Sequence, residues 1–145
     1  MAGADTQIMT AVELGAFLDA HFPQMNSRRR RFIVEAVNGR TVRMRMTYHE
    51  RMLRPGGTIS GPSMFALADV AMYAAVLAMI GPHPLAVTTN LSINFLRKPR
   101  PADMIAEATI LRLGKRLAFG EISLRSDGDE ELAAHATSTY SIPEE

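Results

Sequence analysis

One carboxylate stands alone in the most apolar stretch of this chain. In GGTISGPSMFALADVAMYAAVLAMIGP, residues 56–82, Asp69 is the single charged side chain, and from Met64 to Ile80 every other residue is apolar or Tyr73. A carboxylate against apolar walls is poorly solvated and therefore more basic than in water, which suits it to activate a water molecule or to attack an electrophilic carbon directly. Upstream, Gly61 opens the same segment. A helix beginning there offers an unpaired backbone N–H and the positive end of its dipole, and glycine lets a carbonyl approach the backbone closely. Pro62 fits the first helical turn, where no donor is needed, and its missing N–H makes Gly61 the preferred donor. An acid and such a donor are the parts needed for acyl transfer: a nucleophile for the carbonyl carbon and a hydrogen bond for the oxyanion. Plainer roles exist. Asp69 can pair with an arginine of a neighbouring strand or subunit, or with Tyr73 one turn along, and Gly61 can be a turn residue only.

The rest of the chain must build the frame around that helix. Gly61-Pro62 and Gly81-Pro82 bound a 17-residue apolar run too short, too punctuated and too acidic at its middle for a membrane span, so a helix buried on all sides is expected. TAVELGAFLDAHFP reads as a short amphipathic helix: Thr10 and Glu13 form a capping box, Leu14, Phe17 and Leu18 share a face, and Pro23 follows. RFIVEAVNGRTVRMRMTY reads as two strands joined at Asn38-Gly39, with Val42, Met44 and Met46 alternating against Arg43, Arg45 and Thr47. Beyond the central helix, Val87, Leu91, Ile93 and Phe95 alternate with Thr88, Asn90, Ser92 and Asn94, the cleanest strand pattern in the sequence. Three further strands follow, broken near Gly114-Lys115 and Asp127-Gly128. One long apolar helix followed by long strands predicts an α+β chain in which an antiparallel sheet curls round the helix. No repeat or linker divides it, so residues 1–145 are expected to form one domain, with residues 1–25 an N-terminal helical segment.

Composition narrows the chemistry. The chain has no Cys, which removes thiol nucleophiles, disulfides and cysteine metal sites and suits a reducing cytoplasm. Sixteen basic against 15 acidic residues give no field for nucleic acid. The four His, at 21, 49, 83 and 135, lack the helical spacing of a zinc motif, so no metal is expected. MAGADTQIMT carries an acid and no apolar core, unlike a secretory signal.

The order of elements, with RPGGTISGPSMFALADVAM and TTNLSINFLRKPRPAD, resembles the hotdog-fold acyl-CoA thioesterases of the phenylacetate-degradation (PaaI-like) family. The resemblance covers most of the chain and implies hydrolysis of an acyl- or aryl-CoA thioester. CoA would belong to the substrate, with no further cofactor. In that family the loop before the helix reads N-x-x-G-x-x-H-G-G, with an acid nine positions after the His. Here Ser60 stands at the His, Gly61 at the first Gly, Pro62 at the second and Asp69 at the acid, while Arg54 falls where the Asn is expected. The acid and first glycine match; the His, Asn and second Gly do not. The resemblance further implies that Thr88 orients the water or nucleophile, and that Arg97, Lys98 and Arg116 hold the CoA phosphates, as Arg and Lys can. Arg28–Arg31 would be surface near the ribose phosphate. Met64, Met72 and Met79 are candidate acyl-pocket residues, Met adapting to varied ligands. Three activities stay open: a thioesterase, a hotdog protein that binds acyl-CoA without cleaving it, and a hotdog hydratase, for which Ser60 supplies no catalytic His. A lone hotdog sheet leaves an edge and part of its helix uncovered, so a homodimer with its site at the interface, doubled to a dimer of dimers, is expected, with neither nucleic acid nor membrane as a partner.

Overall fold

A computed structural model describes residues 6–23, 26 and 31–144. The first helix, α1 (Ala11–His21), starts as the sequence predicts: the Glu13 N–H donates to Thr10 Oγ1, and the Glu13 carboxylate accepts from the Thr10 N–H. Leu14 and Leu18 are buried and Phe17 packs partly against the same core. A hairpin of β1 (Phe32–Asn38) and β2 (Thr41–Met46) follows. Its turn lies one residue later than Asn38-Gly39, because Asn38 pairs with Thr41 and leaves Gly39 and Arg40 as the two turn residues. Gly39 adopts φ 58° and Arg40 does not turn positive. Glycine thus occupies the first central position, as a type II′ turn requires. A small two-stranded hairpin, β3 (Leu53–Arg54) with β4 (Thr58–Ile59), leads into the central helix and was not expected from the sequence.

That helix, α2, runs Gly61–Ile80. Ser60 caps it by accepting from the Ser63 N–H at 3.3 Å, and Gly81, at φ 93°, ends it. Four long strands complete the chain: β5 (Val87–Phe95), β6 (Met104–Leu113), β7 (Leu117–Ser126) and β8 (Ala134–Ser141). All pairings are antiparallel, and the six-stranded order is β1-β2-β6-β7-β8-β5. The sheet wraps α2, so the predicted α+β arrangement of a long helix inside an antiparallel sheet is what forms.

Alternation fixes which strand face meets the helix. Val42, Met44, Met46, Met104, Ala106, Ala108, Ile122 and Leu124 point inward and are fully buried. Arg43 and Arg45 point outward into ion pairs: Arg43 with Glu35, and Arg45 with Glu35, Asp103 and Asp127. Gly120 on β7 sets how closely helix and sheet approach. A Cβ there would lie 2.8 Å from Met72 Sδ and 2.7 Å from the Thr109 carbonyl oxygen. By length and composition α2 passes as a membrane span. Its second half is instead enclosed by protein, with Ala74 to Ala78 wholly buried. Its last turn is also tied to the chain's start, as the Ile8 and Met9 N–H groups donate to the Ala78 carbonyl at 2.7 and 3.2 Å.

Coverage is incomplete on one flank. Along the first half of α2, Pro62 and Phe65 are exposed and Asp69 and Val70 half-buried. Beside them runs the edge strand β5, whose Val87 and Phe95 are 54% and 52% exposed. The strand with the cleanest alternation therefore lies at the rim, where only Leu91 and Ile93 reach the core.

Candidate active site

Two cavities open on that flank, one at each end of the exposed helix stripe. The first surrounds Asp69. It has a volume of about 250 Å³ and is walled by Phe22, Val70, Tyr73, Pro84, Ala86 and Val87. Asp69 is not left to apolar walls alone. The Thr88 hydroxyl donates to its Oδ1 at 2.6 Å, and the Tyr140 hydroxyl lies 3.0 Å from the same oxygen and 3.2 Å from the Asp69 backbone carbonyl. These two residues are register partners on β5 and β8, with a β-bulge between Thr88 and Asn90 immediately beside them. A bulge re-aims side chains in just this way. Among the described residues nothing donates to Oδ2.

Tyr73, a candidate partner of Asp69, donates instead to the Pro84 carbonyl at 3.0 Å. Its ring stacks on Tyr140 with centroids 6.1 Å apart. Burial pushes the Tyr73 phenol up. Burial first, and the neighbouring Asp69 charge second, push the Tyr140 phenol up much further. Both hydroxyls therefore stay protonated donors.

The second cavity, about 350 Å³, lies at the start of α2 and is lined by Gly61 and Met64 with Arg54, Arg97 and Lys98 on its rim. No described acceptor takes the Gly61 N–H, as expected for the first residue of a helix. The Phe95 ring covers this glycine: a Cβ at Gly61 would meet Phe95 Cζ at 3.3 Å. Ser60, at the family's His position, is occupied as the helix cap and also donates to Ser63 Oγ at 3.0 Å. Pro62 occupies the first turn, as its missing N–H suggests.

Asp69 and Gly61 are thus in different cavities. Eight residues of helix separate them by about 12 Å along the axis. Within one chain, a carbonyl bonded to the Gly61 N–H is out of reach of a water held by Asp69. In a single chain the two residues therefore make two separate candidate half-sites. Arg54, Arg97 and Lys98 do gather at Gly61, with Arg97 also paired to Glu131. Arg116 does not join them. It precedes β7 at the end of the sheet where Leu117 pairs with Ser141, close to Thr88, and it pairs with Glu144. Met64 lines the Gly61 cavity, whereas Met72 and Met79 are core. Of the basic run, residues 28–30 lie outside the described residues. Tyr140 and Phe95 were not anticipated. The register that brings Tyr140 beside Thr88 was the missing information, since 71 residues separate it from Asp69.

A long helix wrapped by an antiparallel sheet, with an acid and a helix-start glycine on its uncovered flank, defines the hotdog class. The chain belongs to the thioesterase superfamily, whose sequence pattern matches residues 56–133. That stretch holds Gly61, Asp69 and Thr88 and stops short of Tyr140. A crystal structure described as a thioesterase from a Silicibacter species is 46% identical, with TM-score 0.88 over 97% of this chain and 96% of that one. A protein of Halobacterium salinarum named as an esterase is 32% identical over 102 residues, 66% of either chain, so this chain spans just under two thirds of that relative. The PaaI protein of the E. coli phenylacetic acid degradation operon shares the fold, with 20% identity and TM-score 0.68 over 78% of this chain and 80% of that one. At 20% identity the last of these shows the shared fold alone.

Proposed function

We propose that the protein hydrolyses an acyl-CoA or aryl-CoA thioester at a composite site, with Asp69 of one subunit facing Gly61 of a second. The observation that carries this reading is a carboxylate held at one oxygen and open at the other, beside an apolar cavity large enough for an acyl group. For comparison, an apolar cavity of about 150 Å³ takes a benzene ring. Asp69 activates water or attacks the carbonyl carbon itself, Thr88 orients the carboxylate, and the Gly61 N–H receives the oxyanion. No cofactor is required. Arg54, Arg97 and Lys98 on the rim of the Gly61 cavity suit the phosphates of CoA, and Arg116 would reach them only from the other subunit.

The geometry of α2 supports the pairing. Phe65 lies midway between Gly61 and Asp69 and is 42% exposed. A two-fold axis passing near Phe65 sets two α2 helices antiparallel and brings each Gly61 opposite the other chain's Asp69. The same operation covers the exposed apolar residues of α2 and pairs the bare β5 edges, which would otherwise template non-specific association. Doubling to a dimer of dimers would follow. A hydratase finds less support, since no histidine lines either cavity. The non-hydrolytic binding alternative rests on Ser60 standing where the family has His.

Thiol release from a panel of aliphatic and aromatic acyl-CoAs tests hydrolysis, and subunit mixing tests the composite site. In a dimer of one Asp69→Asn and one Gly61→Val chain, one site carries both lesions and the other none. Random mixing of two inactive proteins should therefore restore about a quarter of wild-type activity. No recovery, with mixed dimers present, would place the whole site in one chain. Binding of acyl-CoA by the wild type without thiol release would favour the binding protein.

A further inference from the structure

We infer that Tyr140 is a positioning residue for the Asp69 carboxylate: with Thr88 it holds Oδ1 and so makes Oδ2 the oxygen presented to the reacting water or carbonyl. The inference rests on the proposal that Asp69 is the acting carboxylate. A carboxylate turns about a broad, roughly two-fold torsion, and one donor leaves that torsion loose. Here two hydroxyls from two strands converge on one oxygen, at 2.6 and 3.0 Å. They come from unlike surroundings: Thr88 is exposed, whereas Tyr140 is 3% exposed. The buried donor sets the carboxylate plane, and the exposed one completes the pair.

The surroundings leave these two hydroxyls in charge of the carboxylate. Among the described residues, the titratable groups facing Asp69 in the cavity are Tyr73 from α2 and Tyr140 from β8, and no Lys, Arg or His lines it. Tyr73 spends its hydroxyl on Pro84 and its ring on stacking against Tyr140, so it braces the donor without competing for Asp69. A hydrogen bond donated to a carboxylate favours its charged form. Removing the Tyr140 hydroxyl leaves Oδ1 with the Thr88 donor alone and should let the carboxylate turn. A tether from β8 to the backbone of α2 would be the merely structural alternative, because the same hydroxyl also reaches the Asp69 carbonyl.

Tyr140→Phe keeps the ring and its stacking. It should lower kcat about 10-fold and leave KM within about twofold. Thr88→Val acts on the same oxygen, so the double variant should lose less than the product of the two single losses. A crystal structure of the substrate-free Tyr140→Phe variant should show the Asp69 carboxylate turned or split between orientations, without reference to turnover. A carboxylate that keeps its orientation, with kcat reduced, would make Tyr140 a tether and overturn the inference. If Tyr140→Phe does not fold, Thr88→Val carries the test alone: the carboxylate should stay oriented by Tyr140, and a carboxylate set loose there would overturn the inference. Asp69→Asn is measured alongside. Full activity in that variant defeats the proposed function itself, whereas loss of activity there with no effect at Tyr140 defeats this inference alone.

Discussion

The two cavities on the flank of α2 share a helix and little else. One holds an acid, two hydroxyls and aromatic walls; the other holds a free N–H, three cations and a phenyl ring over a glycine. Among the described residues the first is lined by an acid and by no cation, and the second by cations and by no carboxylate or histidine. Each lacks what the other has. Under the proposed function, chemistry split between the ends of one exposed stripe needs a second subunit to complete it, and perturbing either end should leave a distinct kinetic signature.

The acid end should give the largest effect. Asp69→Asn preserves size and removes basicity and nucleophilicity, so kcat should fall on the order of 10²-fold or more with the fold retained, as circular dichroism and kinetics together would report. Ser60→Ala, removing a cap, should stay within about threefold in kcat while costing about 1 kcal/mol of stability. If the serine variant is the more damaged one, the hydroxyl belongs at the centre of the site and the comparison fails.

At the donor end, Gly61→Ala should lower kcat about 10-fold or more. Its cause can be separated, because the added methyl would crowd Phe95 at 3.3 Å. Trimming the ring in Gly61→Ala/Phe95→Leu should restore packing but not turnover if a substrate carbonyl needs the space. Recovery of kcat in the double variant would reduce the glycine to a packing residue.

The rim should act on binding rather than chemistry. Replacing Arg97 and Lys98 by Ala should raise KM for an acyl-CoA about 10-fold, leave KM for a short pantetheine thioester nearly unchanged, and weaken the enzyme's response to salt. Replacing Arg116 tests the same idea across the interface and should matter less, since it joins the cluster only from the second subunit.

The smallest kinetic effect should come from the outer face. Arg45 bonds Glu35, Asp103 and Asp127 and lines neither cavity. Burial raises the Glu35 carboxyl, but hydrogen bonds from Arg45 and Arg43 outweigh it and hold it below its ordinary value. Asp127 is held low chiefly by its bond from Arg45. Carboxylates depressed in the fold contribute stability above their unfolded pKa, and lose it as pH falls through the folded one. Arg45→Met should therefore lower stability at pH 7, and by progressively less in acid. Thermal unfolding between pH 7 and 3 reads this directly, and kcat should not change.

Much of the frame is legible in the sequence because it depends on local pattern. Thr10 and Glu13 cap a helix three residues apart, Met44 and Met46 alternate with arginines, and glycine-proline pairs bracket α2. The turn at Gly39 misplaces by one residue since Asn38 and Gly39 both suit turns, and pairing with β2 decides between them. Asp69 and Gly61 stand out by their chemistry. Their separation does not, because spacing along a helix says nothing of which neighbours enclose each residue. Tyr140 closes a contact across strand register, and Arg116 was grouped with Arg97 by charge although the sheet holds them at opposite ends. Local rules carry no such long-range information.

Gly120 has a bearing on the site from well outside it. No side chain fits there, so any replacement acts as a wedge beneath the middle of α2. Because Asp69 and Gly61 ride on that one rigid rod, a wedge would leave their mutual spacing intact while lifting both from β5, which carries Thr88 and Phe95. A single remote methyl could therefore detune both half-sites in the same stroke, and position 120 is a place where catalysis can be lost without touching any residue that performs it.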